Sequence, residues 1–135
     1  MTPLIIGISS GIFLIILFEV LKRYDKQIVY GLILTGIGFI YIGFTWTDLS
    51  SLIINSTQAV FFLALAYYGI KKNMNLLALG YFLHGSWDIA YDILGQPDLV
   101  PPHYDVFCLS IDFTIGIYLL FIARSIKLKL NKSNV

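Results

Sequence analysis

Charge is scarce in this chain, with nine Lys and Arg and eight Asp and Glu among 135 residues. A water-soluble domain this small must cover a large surface with polar groups, so that class is excluded. A single cysteine, Cys108, rules out an internal disulfide. No basic residue precedes the first apolar run, "MTPLIIGISSGIFLIILFEV", whereas Lys22 and Arg23 follow it. That is the reverse of a cleaved secretory signal, and it retains the run as a span with its C-terminal flank in the cytoplasm. The H-x-x-x-H and C-x-x-C spacings of common metal sites are missing. Linkers, low-complexity segments and internal repeats are also missing. A net charge of +1 offers no basic face, so no nucleic-acid partner is expected.

What the chain has in abundance is apolar length. Hydrophobic residues make up 58% of it. The runs are continuous, unlike the short alternating strands of a membrane β-barrel. They predict an all-α membrane protein, one integral domain over residues 1–135, with five transmembrane helices near 3–21, 28–46, 50–70, 75–94 and 105–124. A span needs about 20 mostly apolar residues, and the fourth run only just qualifies. Short connections make consecutive helices antiparallel neighbours.

Charge placement tests the span count. Every Lys and Arg falls in the first connection (Lys22, Arg23, Lys26), the third (Lys71, Lys72) or the C-terminal end (Arg124, Lys127, Lys129, Lys132). Five spans put all three groups on one side, whereas four or six would split them. The positive-inside rule makes that side cytoplasmic, with the N-terminus outside. The expected location is the cell (plasma or inner) membrane, as a multi-pass protein. Gly7 and Gly11 form a small-xxx-small pair, and Gly31, Thr35, Gly36, Gly38 and Gly43 smooth the second helix, which suits close packing and could serve a homo-oligomer.

The stretch "YFLHGSWDIAYDIL", residues 81–94, breaks the apolar pattern. His84 and Asp88 are four apart and share a helix face. Cys108 and Asp112 do the same on the fifth span, and Asn55 and Gln58 on the third. In the expected orientation, at about 1.5 Å per residue, His84 lies about 15 Å below the outer boundary, Asp88 about 9 Å and Asp112 about 12 Å. Three helices thus place polar groups in one slab, as a polar pocket opening outward. An aspartate near a span centre costs about 2.5–3.5 kcal/mol on the insertion scale, against about 0.3–0.6 returned by each good apolar residue. The apolar residues of the fourth span offset roughly one such aspartate, so this helix needs polar partners.

Intramembrane Asn, Gln and Ser often only join helices. Ionisable residues at depth point to function. His84, Asp88 and Asp112 are the candidate catalytic residues, as an acid–base set that removes and delivers protons on a lipophilic small molecule. Tyr81, Trp87, Tyr91, Asp92, Asn55, Gln58 and Cys108 are the candidate pocket residues. The same His84, Asp88 and Asp112 could hold a divalent metal ion as cofactor, with Cys108 as a fourth ligand. Two other readings stay open: a proton or ion relay, or transporter subunit, and a non-catalytic accessory subunit. Outside the cluster, Glu19 is expected to snorkel or to pair with Lys22 or Arg23. Asp48, Asp98, His103 and Asp105 are expected as solvated loop groups, with His103 placed to cover the pocket mouth.

The segment "LLALGYFLHGSWDIAYDILGQPDLVPPHYDVFCLSIDFTIGIYLLF" resembles a family of small bacterial and fungal membrane proteins catalogued as a domain of unknown function. That family shows an H-x-x-W-D helix, a G-x-P turn, and a Cys and an Asp four apart entering the last helix. The matching residues are His84, Trp87, Asp88, Gly95, Pro97, Cys108 and Asp112. The likeness is good over residues 75–120 and otherwise rests on span layout. Members often carry two adjacent histidines after the W-D, where this chain has Tyr91 and Asp92. The resemblance implies the same polar constellation without a multi-histidine metal site, and it implies no particular activity.

Overall fold

The computed structural model describes residues 1–95 and 98–134. Among these it is all-helical: α1 (Thr2–Val20), α2 (Lys26–Thr45), α3 (Leu49–Lys72), α4 (Met74–Ile93) and α5 (Tyr104–Ser133). Pro97 of the G-x-P turn lies outside the described residues.

Local chemistry sets the helix ends. Pro3 stands in the first turn of α1, where a missing N–H is harmless. Asp25, Asp48 and Asn73 are N-caps whose side chains accept from the backbone N–H groups of Ile28, Ser51 and Leu76 at 3.2, 2.9 and 2.9 Å. The bonds from Ser51 hold the Asp48 carboxyl below its usual pKa. Gly95, at φ +88°, takes the left-handed turn that ends α4, and its N–H donates to the Asp92 carbonyl at 3.1 Å. At the other side of that connection His103 holds φ 61°, and the Tyr104 N–H donates to the Pro101 carbonyl at 3.2 Å, starting α5.

Four of the helices, α1, α2, α3 and α5, are long and apolar enough to cross a membrane. The large hydrophobic side chains exposed along them need an apolar solvent, which makes this a membrane protein. The exception is α4, and its position explains why. It packs against α5, α3 and α2 together, and nine of its residues are buried, from Met74 to Tyr91. A helix wrapped by three others has little surface left for an apolar medium and can carry polar side chains inward. Its core partners are Tyr30, Leu34, Phe62, Ala66, Ile115 and Leu119.

In contrast, α1 packs chiefly on α5. Its two buried residues are Gly7 and Gly11. A Cβ at Gly7 would lie 2.5 Å from the Phe107 carbonyl oxygen, and one at Gly11 would lie 3.0 Å from the Thr114 side chain. The small-xxx-small pair is therefore the α1–α5 contact. The glycines of α2 divide into two sets. Gly31 and Gly38 meet Ile70 and Phe62 of α3, whereas Gly36 and Gly43 face open space. Where α1 meets α5, Glu19 pairs with Lys26 and accepts from the Tyr118 hydroxyl, not from Lys22 or Arg23 as expected. The helical turn between α1 and α2 carries Lys26 back over Glu19. Beyond residue 124, where its span was expected to end, α5 continues to Ser133 as an exposed basic helix.

The glycine contacts predict opposite outcomes for the same chemical change. Gly7→Ala forces α1 away from α5 and should destabilise the fold by about 1–3 kcal/mol. Gly36→Ala adds helix propensity in open space and should be neutral or stabilise by up to about 1 kcal/mol. Thermal unfolding of the two variants in detergent checks the pair.

Candidate functional site

The site begins with the α4–α5 contact. Gly85, beside His84, faces α5. A Cβ there would stand 3.3 Å from the Asp112 Cβ and 3.1 Å from the Phe113 ring. The absent side chain lets α5 approach closely enough for Asp112 to reach the imidazole. His84 Nδ1 and Asp112 Oδ2 are 2.7 Å apart. With Asp112 ionised, its carboxylate can only accept, and Nδ1 then carries the proton and donates. One turn along α4, Asp88 Oδ2 lies 3.5 Å from the same Nδ1, within ion-pair range and too long for a good hydrogen bond. Exposure of the three residues is 1%, 0% and 1% for His84, Asp88 and Asp112. One candidate ligand atom from each falls within 4.8 Å of the others.

Several polar atoms around this group are buried without a hydrogen-bond partner: His84 Nε2, both Asp88 carboxylate oxygens and the Tyr41 hydroxyl. Tyr41, from α2, lies close enough for its hydroxyl to interact with the Asp88 carboxylate, as does the His84 imidazole, although neither contact has good hydrogen-bond geometry. The Phe62 ring of α3 packs edge-on against the His84 imidazole at 4.8 Å. Cys108 is buried one turn from Asp112 and also within electrostatic reach of Asp88. Two carboxylates thus share one imidazole inside an apolar bundle. Charge balance needs either a proton shared among them or a divalent cation, for which the donor set of one imidazole and two carboxylates is suited. The unpartnered oxygens of Asp88 are where either would act.

The remaining expected pocket residues divide. Asn55 Nδ2 donates to Thr45 Oγ1 at 2.8 Å and to the Tyr91 hydroxyl at 3.0 Å, tying α2, α3 and α4 together. Tyr91 stacks on Trp87 with ring centroids 5.8 Å apart and meets Tyr41 edge-on. This second knot is structural in form. Tyr81 turns from the cluster and donates to the Tyr30 carbonyl at 2.7 Å. Gln58 Nε2 donates to the Gly38 carbonyl at 2.6 Å. Gln58 and Trp87 both line a cleft between α3 and α4. Asp92 does not join the buried group, because the α4 face has rotated by then and the residue is exposed in the last turn.

Tyr41, Tyr91 and Val100, with Phe44, Trp87 and Tyr104 against them, form a separate apolar cluster. One expectation about the surroundings changes. His103 is exposed, and Asp105 is buried in the first turn of α5, not solvated in a loop. Sequence reasoning missed Tyr41 and Phe62. A tyrosine inside a glycine-rich apolar helix could have flagged the first. Nothing distinguishes Phe62 from its apolar neighbours.

Removing one partner of a buried, hydrogen-bonded pair leaves the other charge uncompensated. Asp112→Ala should therefore destabilise the protein by about 3–5 kcal/mol. The double variant His84→Ala/Asp112→Ala should fall short of the sum of the two single losses by about 0.5–3 kcal/mol. A double-mutant cycle measured by unfolding in detergent reads this coupling directly.

No curated protein and no solved structure matches the chain. A family of unknown function, DUF6010, matches residues 2–125. The match takes in all of α1 to α4, the cluster and most of α5, far beyond the segment where the sequence likeness is good. With nearly its whole length covered, the chain belongs to the DUF6010 family.

Proposed function

We propose that this protein is a small membrane enzyme that transfers protons to and from a lipophilic substrate, with His84 as the acid–base group. The observation that carries this reading is the 2.7 Å bond from His84 Nδ1 to Asp112. It orients the imidazole and, with Asp112 ionised, leaves Nε2, which has no protein partner, as the basic nitrogen. Asp112 acts as the orienting carboxylate, the division of labour of Ser-His-Asp triads. Asp88, one turn away with both oxygens unpartnered, is placed to return a proton. Tyr41 supplies a hydroxyl beside it. The protein works as a multi-pass protein of the cell membrane, with its basic end in the cytoplasm, a reading supported by the clustering of every Lys and Arg.

A metal-assisted form of the same chemistry is favoured by one observation, the approach of His84, Asp88 and Asp112 ligand atoms within 4.8 Å. In that form the three residues hold a divalent ion, which supplies a Lewis acid. The relay reading has less support. Between the cluster and the basic end the core is mostly apolar, with Leu77, Ala66, Ile115 and Leu119; the Tyr81 hydroxyl is engaged by a backbone carbonyl, and the Tyr30 hydroxyl is buried without a hydrogen-bond partner.

Two measurements test the proposal. Membranes containing the wild type, incubated in D₂O with a total lipid extract, should place deuterium at a carbon position of one lipid class. His84→Gln and Asp112→Asn should abolish this, by at least about a hundredfold, the usual scale of acid–base catalysis. Equal labelling by wild type and His84→Gln overturns the reading. Elemental analysis of purified protein separates the two forms, since a bound metal should be lost in His84→Ala and Asp88→Ala.

A further inference from the structure

Between α3 and α4 runs an open cleft of about 720 Å³, in the range of small-molecule sites. Its walls include Ile54, Phe61, Phe62, Leu83 and Ala90. The two hydroxyls at its surface are withdrawn from it, because Thr57 and Ser86 donate to the Ile53 and Phe82 carbonyls at 2.9 and 2.8 Å. The cleft surface is therefore apolar along its length.

Three features separate it from an ordinary dent between helices. Phe62 belongs to both compartments, lining the cleft and packing its ring on the His84 imidazole at 4.8 Å. One side chain thus divides the apolar space from the acid–base cluster. Second, Gln58 and Trp87 of the wall each carry a buried polar atom without a partner, an acceptor at Gln58 Oε1 and a donor at Trp87 Nε1. A hydroxyl, which both donates and accepts, matches either of them. Third, the cluster behind Phe62 holds two carboxylates against one imidazole, and every Lys and Arg of the chain lies outside residues 73–123 and 27–70. A phosphate or carboxylate head would bring a further anion beside two carboxylates with no Lys or Arg to balance it, in a low-dielectric setting where an unbalanced charge costs most.

We propose that the α3–α4 cleft binds the tail of an uncharged, hydroxyl-bearing lipid, entering sideways from the bilayer, and that Phe62 is the partition its head passes to reach His84. This rests on the acid–base reading and names its substrate class. Phe62 is a positioning residue here, holding the imidazole on one side and the lipid on the other.

Photolabelling of the full chain in phosphatidylcholine nanodiscs tests it. The probes are a long-chain alcohol bearing a diazirine in its tail and the alkyl phosphate of the same chain. The alcohol should label cleft residues of α3 and α4, at least about tenfold above the phosphate, a difference of about 1.4 kcal/mol. Ala90→Trp and Thr57→Trp, which fill the cleft from opposite walls without entering the core, should each remove this labelling. Gly36→Ala, which adds a methyl in open space on α2, should leave it unchanged. Equal labelling by the phosphate, labels spread over all the helices, or labelling that survives both tryptophans overturns the inference. Deuterium transfer that depends on His84 but ignores both tryptophans leaves the catalytic reading standing and removes the cleft. Specific labelling without any deuterium transfer keeps the cleft as a lipid site and removes the catalysis.

Discussion

Everything in this bundle is arranged around keeping an imidazole and two carboxylates away from hydrocarbon. Charged groups at depth are tolerated where they find each other inside the protein. Here His84 and Asp112 close to 2.7 Å with almost no exposed surface. The rest of the architecture serves that contact. The central position of α4 gives it three helical neighbours, and Gly85 removes the side chain that would hold α5 away. Against α5, the two glycines of α1 let a fifth helix pack closely.

The polar groups of the interior are not one network. Asn55, Thr45 and Tyr91 bond among themselves and bind three helices, as amide and hydroxyl groups commonly do in membranes. The His84 group behaves differently, since it sets two carboxylates against one imidazole and so gathers more acceptors than donors. That excess of acceptors is what the acid–base reading rests on, and the amide–hydroxyl knot does not share it.

Much of this was legible in the sequence. Apolar length fixed the helices to within a few residues at most ends, because continuous hydrophobic runs have few structural interpretations. The four-residue spacings His84–Asp88 and Cys108–Asp112 fixed which faces turn inward. Sequence periodicity could not say which polar residues on the same faces would bond elsewhere. Asp92 drifted off the buried stripe, Tyr81 found a backbone carbonyl, and Asn55 found Thr45. Those outcomes depend on helix rotation and on neighbours distant in the chain. Phe62 was invisible for a simpler reason: an aromatic residue in an apolar run looks the same whether it meets lipid, core or imidazole. Glu19 was assigned the wrong partner because a choice among nearby cations depends on the exact turn between α1 and α2.

The join between α3 and α4 is a single residue, Asn73, which ends one helix and caps the next. Phe62 and His84 stand eleven positions before and after it, about 16 Å along each helix at the usual rise. Two rods leaving one pivot in opposite chain directions bring equal distances level with each other. The meeting of ring and imidazole is thus measured out by the chain itself, like paired marks on a folded rule. Lengthening either arm by one residue slides the marks about 1.5 Å past each other and turns one of them through about 100°. The shortest connection in the protein therefore sets the alignment of its most buried chemistry.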